Sequence, residues 1–475
     1  FTSRIIHPFV GWMESWTLVI ASVLIIAFEV PLVLRNLQIT ARIIGIGAGG
    51  FHSANTWFTD ATGNITGTPG FIGSIVVLLL IGVVCVLPTR TFHRVVTALA
   101  AFGVACFVAM FIFGLAATSK SSFVHNLPHY TGGVTSAQIA ATGAKSGLTG
   151  STGHSFLHNI FSTGAFPLIL SVLLFQYIGF QYSAYIAGEV RGNVRRGVMI
   201  ALLGALAIGV FANSVYVDAL STHLGFKTNV AWGGSYWGFN TALPNLPLGQ
   251  PNAMPLLAVV ANKSLWPIWA LISLGGTIFP FLLCPVYINF ISRMQLAWSL
   301  DRQVPEWFGN VSERIRGPLN AILATLGLTA LFLFFQSYKD LPTFLATADH
   351  KLNLAGTAWF SIVMAIFTWC LPGINAMLVR WRRPELVRNA PFGKALPYIG
   401  FVWLLFPLWI YIFAVFKPIV NALKAGGALK YLETNGIIDA GLFYLIGIVI
   451  YFVMRYRSRA AGVDSKMLFT ELPPD

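Results

Sequence analysis

Apolar residues come along this chain in long unbroken runs, not in the alternation of a half-buried strand. Ten stretches are long enough to cross a bilayer as a helix, which takes about 20 mostly apolar residues. They fall at roughly 15–35, 71–89, 95–117, 167–189, 197–219, 265–291, 318–336, 352–379, 397–417 and 437–455. The pattern predicts an all-α integral membrane protein with about ten transmembrane helices in a single transmembrane domain, residues 1–475. Trp16, Trp266, Trp269, Trp359, Trp403 and Tyr451 sit in or near these runs, as interfacial anchors do.

Composition sharpens this. Of 475 residues, 56% are hydrophobic and only 10% charged, against about 25% charged in an ordinary soluble domain. Too few charges are present to cover water-soluble domains, and the lipid bilayer is the first expected partner. Lys and Arg number 30 and Asp and Glu 16. That excess could mean nucleic acid, anionic lipid or positive-inside topology. The apolar bulk favours the last, and no nucleic-acid partner is expected.

With the side holding the N-terminus called side one, 19 of the 30 basic residues fall there and 11 on the opposite side. Side one is therefore read as cytoplasmic, in the plasma membrane, with both ends of the chain inside and 456–475 as a cytoplasmic tail. Side two carries long loops rich in Gly, Ser, Thr and Asn at about 36–70, 118–166 and 220–264, of which the last two are the long extracellular loops. Whether these are ordered lids or flexible surface is left open by the sequence.

Chemistry-bearing residues are sparse. Cys85, Cys106, Cys284 and Cys370 lie in apolar runs without CxxC spacing and read as small buried hydrophobes. His125 and His129, and again His154 and His158, stand at i, i+4. Pro128 argues against a helix for the first pair, and the loop holds no Asp, Glu or Cys, so no metal site is expected. There is no GxGxxG fingerprint, P-loop, GxSxG elbow or carboxylate pair within a span. Neither enzymatic catalysis nor ATP-driven pumping is expected, and no cofactor.

The fourth run is interrupted near mid-membrane by Gln176, Tyr177, Gly179, Gln181 and Tyr182. Two readings stand. Gly179 marks a break whose half-helix ends hold a small charged substrate, or it lets a neighbouring helix approach closely. Glu29, in LIIAFEVPLVL, is costly to ionise inside a bilayer without a partner. It is a candidate proton carrier, or a structural partner for Arg35 near the bend at Pro31. Tyr287 and Asn289 follow Pro280 and Pro285, whose rings free backbone carbonyls, and are candidates to line the same cavity.

At this point the sequence resembles the amino acid–polyamine–organocation transporters. FQYIGFQYSAYIAGEVRGNVRRG, residues 175–197, resembles that family's broken sixth helix. SRMQLAWSLDRQVPEWFG, 292–309, is similar to the loop after its eighth helix; RGPLNAILAT, 316–325, to the start of its ninth; and the 456–475 tail to the ending of prokaryotic members. The resemblance implies a leucine-transporter-type bundle of inverted five-helix repeats. In that register the ten spans match the family's third to twelfth helices, so the first repeat is incomplete, short of two helices.

The implied function is secondary transport of an amino acid or related amine or organic cation by alternating access, driven by a proton or sodium gradient as symport or antiport. The implied substrate site comprises Phe175, Gln176, Tyr177, Gly179, Phe180 and Gln181, with Tyr287 and Asn289; Phe175 falls at the aromatic gate, and Gln181 replaces the Glu that many members carry. Ser273 and Thr277 match hydroxyls used for sodium in relatives and join Glu29 as ion-coupling candidates. Arg191, Arg293 and Asp301, with Arg195 and Arg196, fall at the inner gate. A rival from another class is a non-transporting membrane subunit that uses this fold as a scaffold beside partner subunits.

Overall fold

In the computed structural model of the chain, the described residues are 2–49, 67–145, 158, 194–220, 225–236, 254–315, 317–337, 354–388, 392–427 and 437–462. They are almost wholly helical, with one two-residue antiparallel ladder, Val311–Ser312 against Gly317–Pro318. The principal helices run α1 Pro8–Ala48, α2 Gly67–Cys85, α3 Thr89–Ala117, α4 Lys120–Tyr130, α5 Ser136–Lys145, α6 Val194–Leu220 and α7 Phe226–Tyr236. They continue with α8 Met254–Ala261, α9 Trp266–Leu300, α10 Leu319–Ser337, α11 Leu354–Arg382, α12 Leu396–Ile410, α13 Lys417–Lys424 and α14 Ile437–Ala460. Among the described residues 7 helices are long and apolar enough to cross a membrane. The chain is an all-α integral membrane protein.

The first helix departs from expectation. The apolar run predicts 15–35, whereas α1 spans 41 residues, about 60 Å at 1.5 Å per residue, twice a hydrocarbon core of about 30 Å. Arg35 and Arg42, expected in an outer loop, lie within α1 and are buried. Beyond Arg35 the apolar residues keep helical spacing, Ile39, Ile43 and Ile46, so the helix continues although the unbroken apolar run does not.

Contacts divide the chain into two compact units. One holds Phe1–Ala27, Ser155–Gln176 and Tyr287–Asp475; the other holds Phe28–His154 and Tyr177–Val286. Helices α1 and α9 contribute to both.

In the first unit the start of α1 docks on α14 through two indoles one turn apart. Trp12 Nε1 donates to the Gly447 carbonyl and Trp16 Nε1 to the Phe443 carbonyl, both at 2.8 Å. The spacing of donors on one helix matches the spacing of acceptors on the other. A side chain at Gly447 would overlap the Trp16 ring, so only glycine allows this approach. Trp298, from the end of α9, packs against Trp12 with ring centroids 4.8 Å apart and donates to Ser15 Oγ at 2.8 Å. Helices α11 and α12 cross at Gly373 and Gly400, where a Cβ on either would meet the other's carbonyl oxygen.

In the second unit the described parts of the long loops are largely helical. Helices α4, α5, α7 and α8 pack with Ile39, Ile43 and Ile46 of α1 and with Trp269 and Ile272 of α9 around one apolar core. Every residue of α8, MPLLAVVA, is buried. Asn126 Nδ2 donates to the Val260 carbonyl at 3.1 Å, satisfying an acceptor at the end of α8 that has no intrahelical partner. Ser136 and Thr228 hydroxyls join α5 to α7 at 2.7 Å. Pro128, expected to forbid a helix, lies inside α4: the amide it lacks would bond Val124, whose carbonyl is in an exposed turn. His125 and His129 therefore do stand one turn apart on α4, both exposed.

Candidate functional site

Glu29, Asn36, Thr40 and Gly47 lie at i, i+7, i+11 and i+18 on α1 and form one stripe of the helix. In the second unit this stripe runs antiparallel to a matching one on α9. Gly47 sits under the Trp266 ring, Thr40 Oγ1 donates to Ser273 Oγ at 2.9 Å and Asn36 Nδ2 donates to the Gly276 carbonyl at 3.1 Å. Continuing one turn at a time, Glu29 comes within electrostatic reach of Cys284.

Pro280 explains the Asn36 contact. A helix carbonyl normally accepts from the N–H four residues on, and Pro280 has none, so the Gly276 carbonyl is released by the proline. The Asn36 amide takes the place of the missing donor. Cys284 Sγ, in turn, donates to the Pro280 carbonyl at 3.3 Å.

Glu29 is 9% exposed. Neither a hydrogen bond nor an ion pair engages its carboxyl among the described residues. Within one turn on its own helix Ile25, Ile26 and Val30 are apolar and buried. Such a group is inexpensive to bury when protonated and expensive when charged, which makes it able to take up and release one proton as its surroundings change.

The hydroxyls considered for an ion are engaged in packing. Ser273 is buried and accepts from Thr40; Thr277 is buried and donates to the Ser273 carbonyl at 3.4 Å. A second face of α1 carries buried Arg35, Gln38 and Arg42 at i, i+3 and i+7. Reading the sequence placed Arg35 and Arg42 in a loop and missed Gln38 and Asn36, because the first arginine ended the apolar count. The signal that finds them is the periodicity of Ile39, Ile43 and Ile46.

In the first unit, Tyr287 is 2% exposed. Asn289 Oδ1 accepts from Arg293 Nη1 at 2.6 Å, one turn along α9. A residue expected to line the substrate cavity and one expected at the inner gate are thus bonded to each other. Asp301, just past the end of α9, is pushed up from the ordinary aspartate range by burial and pulled back by the Arg4 guanidinium. Phe175, Gln176, Tyr177, Gly179, Phe180, Gln181 and Arg191 lie outside the described residues.

These features, a membrane helix with a buried carboxyl beside a partner helix that contains two prolines, narrow the chemistry without naming it. A family model described as amino acid permease matches residues 1–449. No curated protein matches the chain.

Proposed function

The chain belongs to the amino acid permease family, and from that premise we propose alternating-access uptake or exchange of an amino acid or related organic cation, driven by an ion gradient and coupled through Glu29. That it is a multi-pass membrane transporter of amino acids or related compounds follows from the family. The driving ion is the further step. The observation carrying it is the Glu29 carboxyl, enclosed in apolar helix and without an ion-pair partner among the described residues. Protonation would neutralise it in one state of the cycle and its release would charge it in another. The engagement of the Ser273 hydroxyl by Thr40, and of the Thr277 hydroxyl with the Ser273 carbonyl, favours a proton over sodium.

The substrate's charged ends belong, in this reading, at 175–181 around Gly179, where half-helix termini meet them. Ten spans with both ends cytoplasmic complete the picture. Uptake of labelled amino acids into proteoliposomes tests it, with an imposed proton gradient in one set and a sodium gradient in the other. Proton-driven uptake, abolished by Gly179→Leu, supports the proposal. Uptake that follows sodium alone overturns the coupling, and absence of uptake and exchange under every gradient overturns transport.

A further inference from the structure

The first unit contains a cavity of about 380 Å³, within the size range of small-ligand pockets. Its walls are Trp16 and Ile20 of α1, Trp298 of α9, Leu328 of α10, and Val453 and Met454 of α14. Polar groups that face it are already engaged. The indole N–H of Trp16 donates to the Phe443 carbonyl and that of Trp298 to Ser15. Gln295, the polar aliphatic side chain in the lining, donates to Thr325 Oγ1 at 3.3 Å. An amino acid placed here would lose water from its ammonium and carboxylate with nothing in exchange. The cavity therefore suits an apolar guest and is separate from substrate binding.

Its surroundings say which guest. Val449, Phe452 and Val453 of α14 are about half exposed, at 52%, 54% and 46%, on a helix long and apolar enough to cross a membrane, so the cavity borders lipid. One end of it is basic. Val304 and Pro305 line it just past Arg302, and Met454 lines it just before Arg455, Arg457 and Arg459. Arg457 lies one turn beyond Val453 on the same face of α14. Ser458 Oγ, donating to the Arg302 carbonyl at 3.5 Å, ties the two basic segments together. Arg455 and Arg459 lie on the other face of α14, where Arg455 bonds the Tyr451 hydroxyl, so the cation on the cavity's face is Arg457. Of the acids nearby, Glu306 follows Pro305 and is exposed, and the charge of Asp301 is opposed by Arg4.

We propose that this cavity seats one acyl chain of an anionic phospholipid, with the phosphate held at the arginine-bearing end of α14. An acyl chain fits walls that offer no free hydrogen bond, and a negative headgroup fits Arg457, which continues the lining face of α14 beside the Arg302 segment that Ser458 ties to it. With the basic side cytoplasmic, the lipid comes from the inner leaflet.

The test is native mass spectrometry of the full chain released from nanodiscs that contain equal amounts of phosphatidylglycerol and phosphatidylcholine. The wild type is expected to retain phosphatidylglycerol in preference. Leu328→Trp, which fills the cavity, is expected to lower retention by about tenfold or more, since each methylene denied burial weakens binding about fourfold. Arg457→Gln is expected to reduce the preference for phosphatidylglycerol about fivefold, and Arg459→Gln, on the other face of α14, to leave it nearly unchanged. Ala324→Phe, a smaller intrusion at another wall, supplies the same reading if Leu328→Trp fails to fold. Equal retention of the two lipids by the wild type overturns the headgroup assignment. Undiminished retention in the filled variants overturns the seat. A wild type that retains neither lipid, as when the chain's own tail occupies the cavity, overturns the proposal outright.

Discussion

Helix α1 makes two kinds of contact, and they differ in what they leave over. In the first unit, Trp12 and Trp16 bring large apolar rings whose N–H groups both find carbonyls on α14, and Trp298 closes the cluster by donating to Ser15. In the second unit the same helix meets α9 through small polar groups: a hydroxyl pair, an amide on a carbonyl released by proline, and a carboxyl with no ion-pair partner among the described residues. A contact with every donor satisfied resists change, because any displacement strands a polar group away from water. A contact that contains a group with two charge states changes its own energetics when a proton arrives. The first is fixed by its own hydrogen bonds, and the second is the part that the proposed transport cycle would use.

The sharpest way to break the comparison is at the first contact. Gly447→Leu would drive a side chain into the Trp16 ring and separate two indoles from their acceptors. Overpacking together with two lost hydrogen bonds is expected to cost about 3–5 kcal/mol. The expected outcome is loss of monodisperse protein by size exclusion. A variant as heat-stable as the wild type would show that α1 and α14 are not held as described.

On the other side, Glu29→Gln keeps size and polarity and removes the titration. Uptake driven by a proton gradient is expected to fall at least about tenfold, the effect of about 1.4 kcal/mol or more on a driving step, while substrate counterflow persists and the unfolding temperature is unchanged or higher. If gradient-driven uptake is unaltered, Glu29 does not carry the proton and the distinction between the two contacts loses its functional half.

Asn36→Ala is expected to act on stability by about 1–2 kcal/mol, because the Gly276 carbonyl that Pro280 releases then has no donor. Restoring a backbone donor with Pro280→Ala should return most of that loss. A double-mutant cycle on thermal unfolding measures it, and additive effects would show that Asn36 and Pro280 are not coupled.

How much of this could be read beforehand depends on range. The existence of membrane helices was legible because twenty apolar residues in a row have few other uses. The family was legible in 175–197, 292–309 and 316–325, and the match over residues 1–449 agrees with it. The end of α1 was not, because Arg35 and Arg42 halt an apolar count while the fold buries them. The helical packing within the long loops was hinted at by MPLLAVVA, an apolar octet too short to span, but its partners Phe123, Leu127 and Trp232 are remote in sequence. Glu29 was legible as a lone acid in an apolar run. That it faces Cys284, and that Asn36 answers Pro280, depends on the register between two helices far apart in the chain, which no local pattern encodes.

The smallest effect concerns the charged end of the first unit. Burial raises the Asp301 carboxyl and Arg4 lowers it, with burial the larger influence. A carboxyl that holds its proton to higher pH in the folded state than in the unfolded one favours folding at low pH. That advantage is lost as pH rises from the ordinary aspartate range through the raised value. Asp301→Asn should therefore flatten the pH dependence of unfolding across that window and leave the protein slightly more stable at neutral pH. The gain is small because the group is only partly buried and water screens it. Arg4→Gln removes the opposing influence and should act in the reverse sense at neutral pH, an effect that vanishes in the Asp301→Asn background. Thermal unfolding of the three variants at acid and neutral pH checks this, and an Arg4→Gln effect that survives without Asp301 would mean that the two side chains do not act on each other.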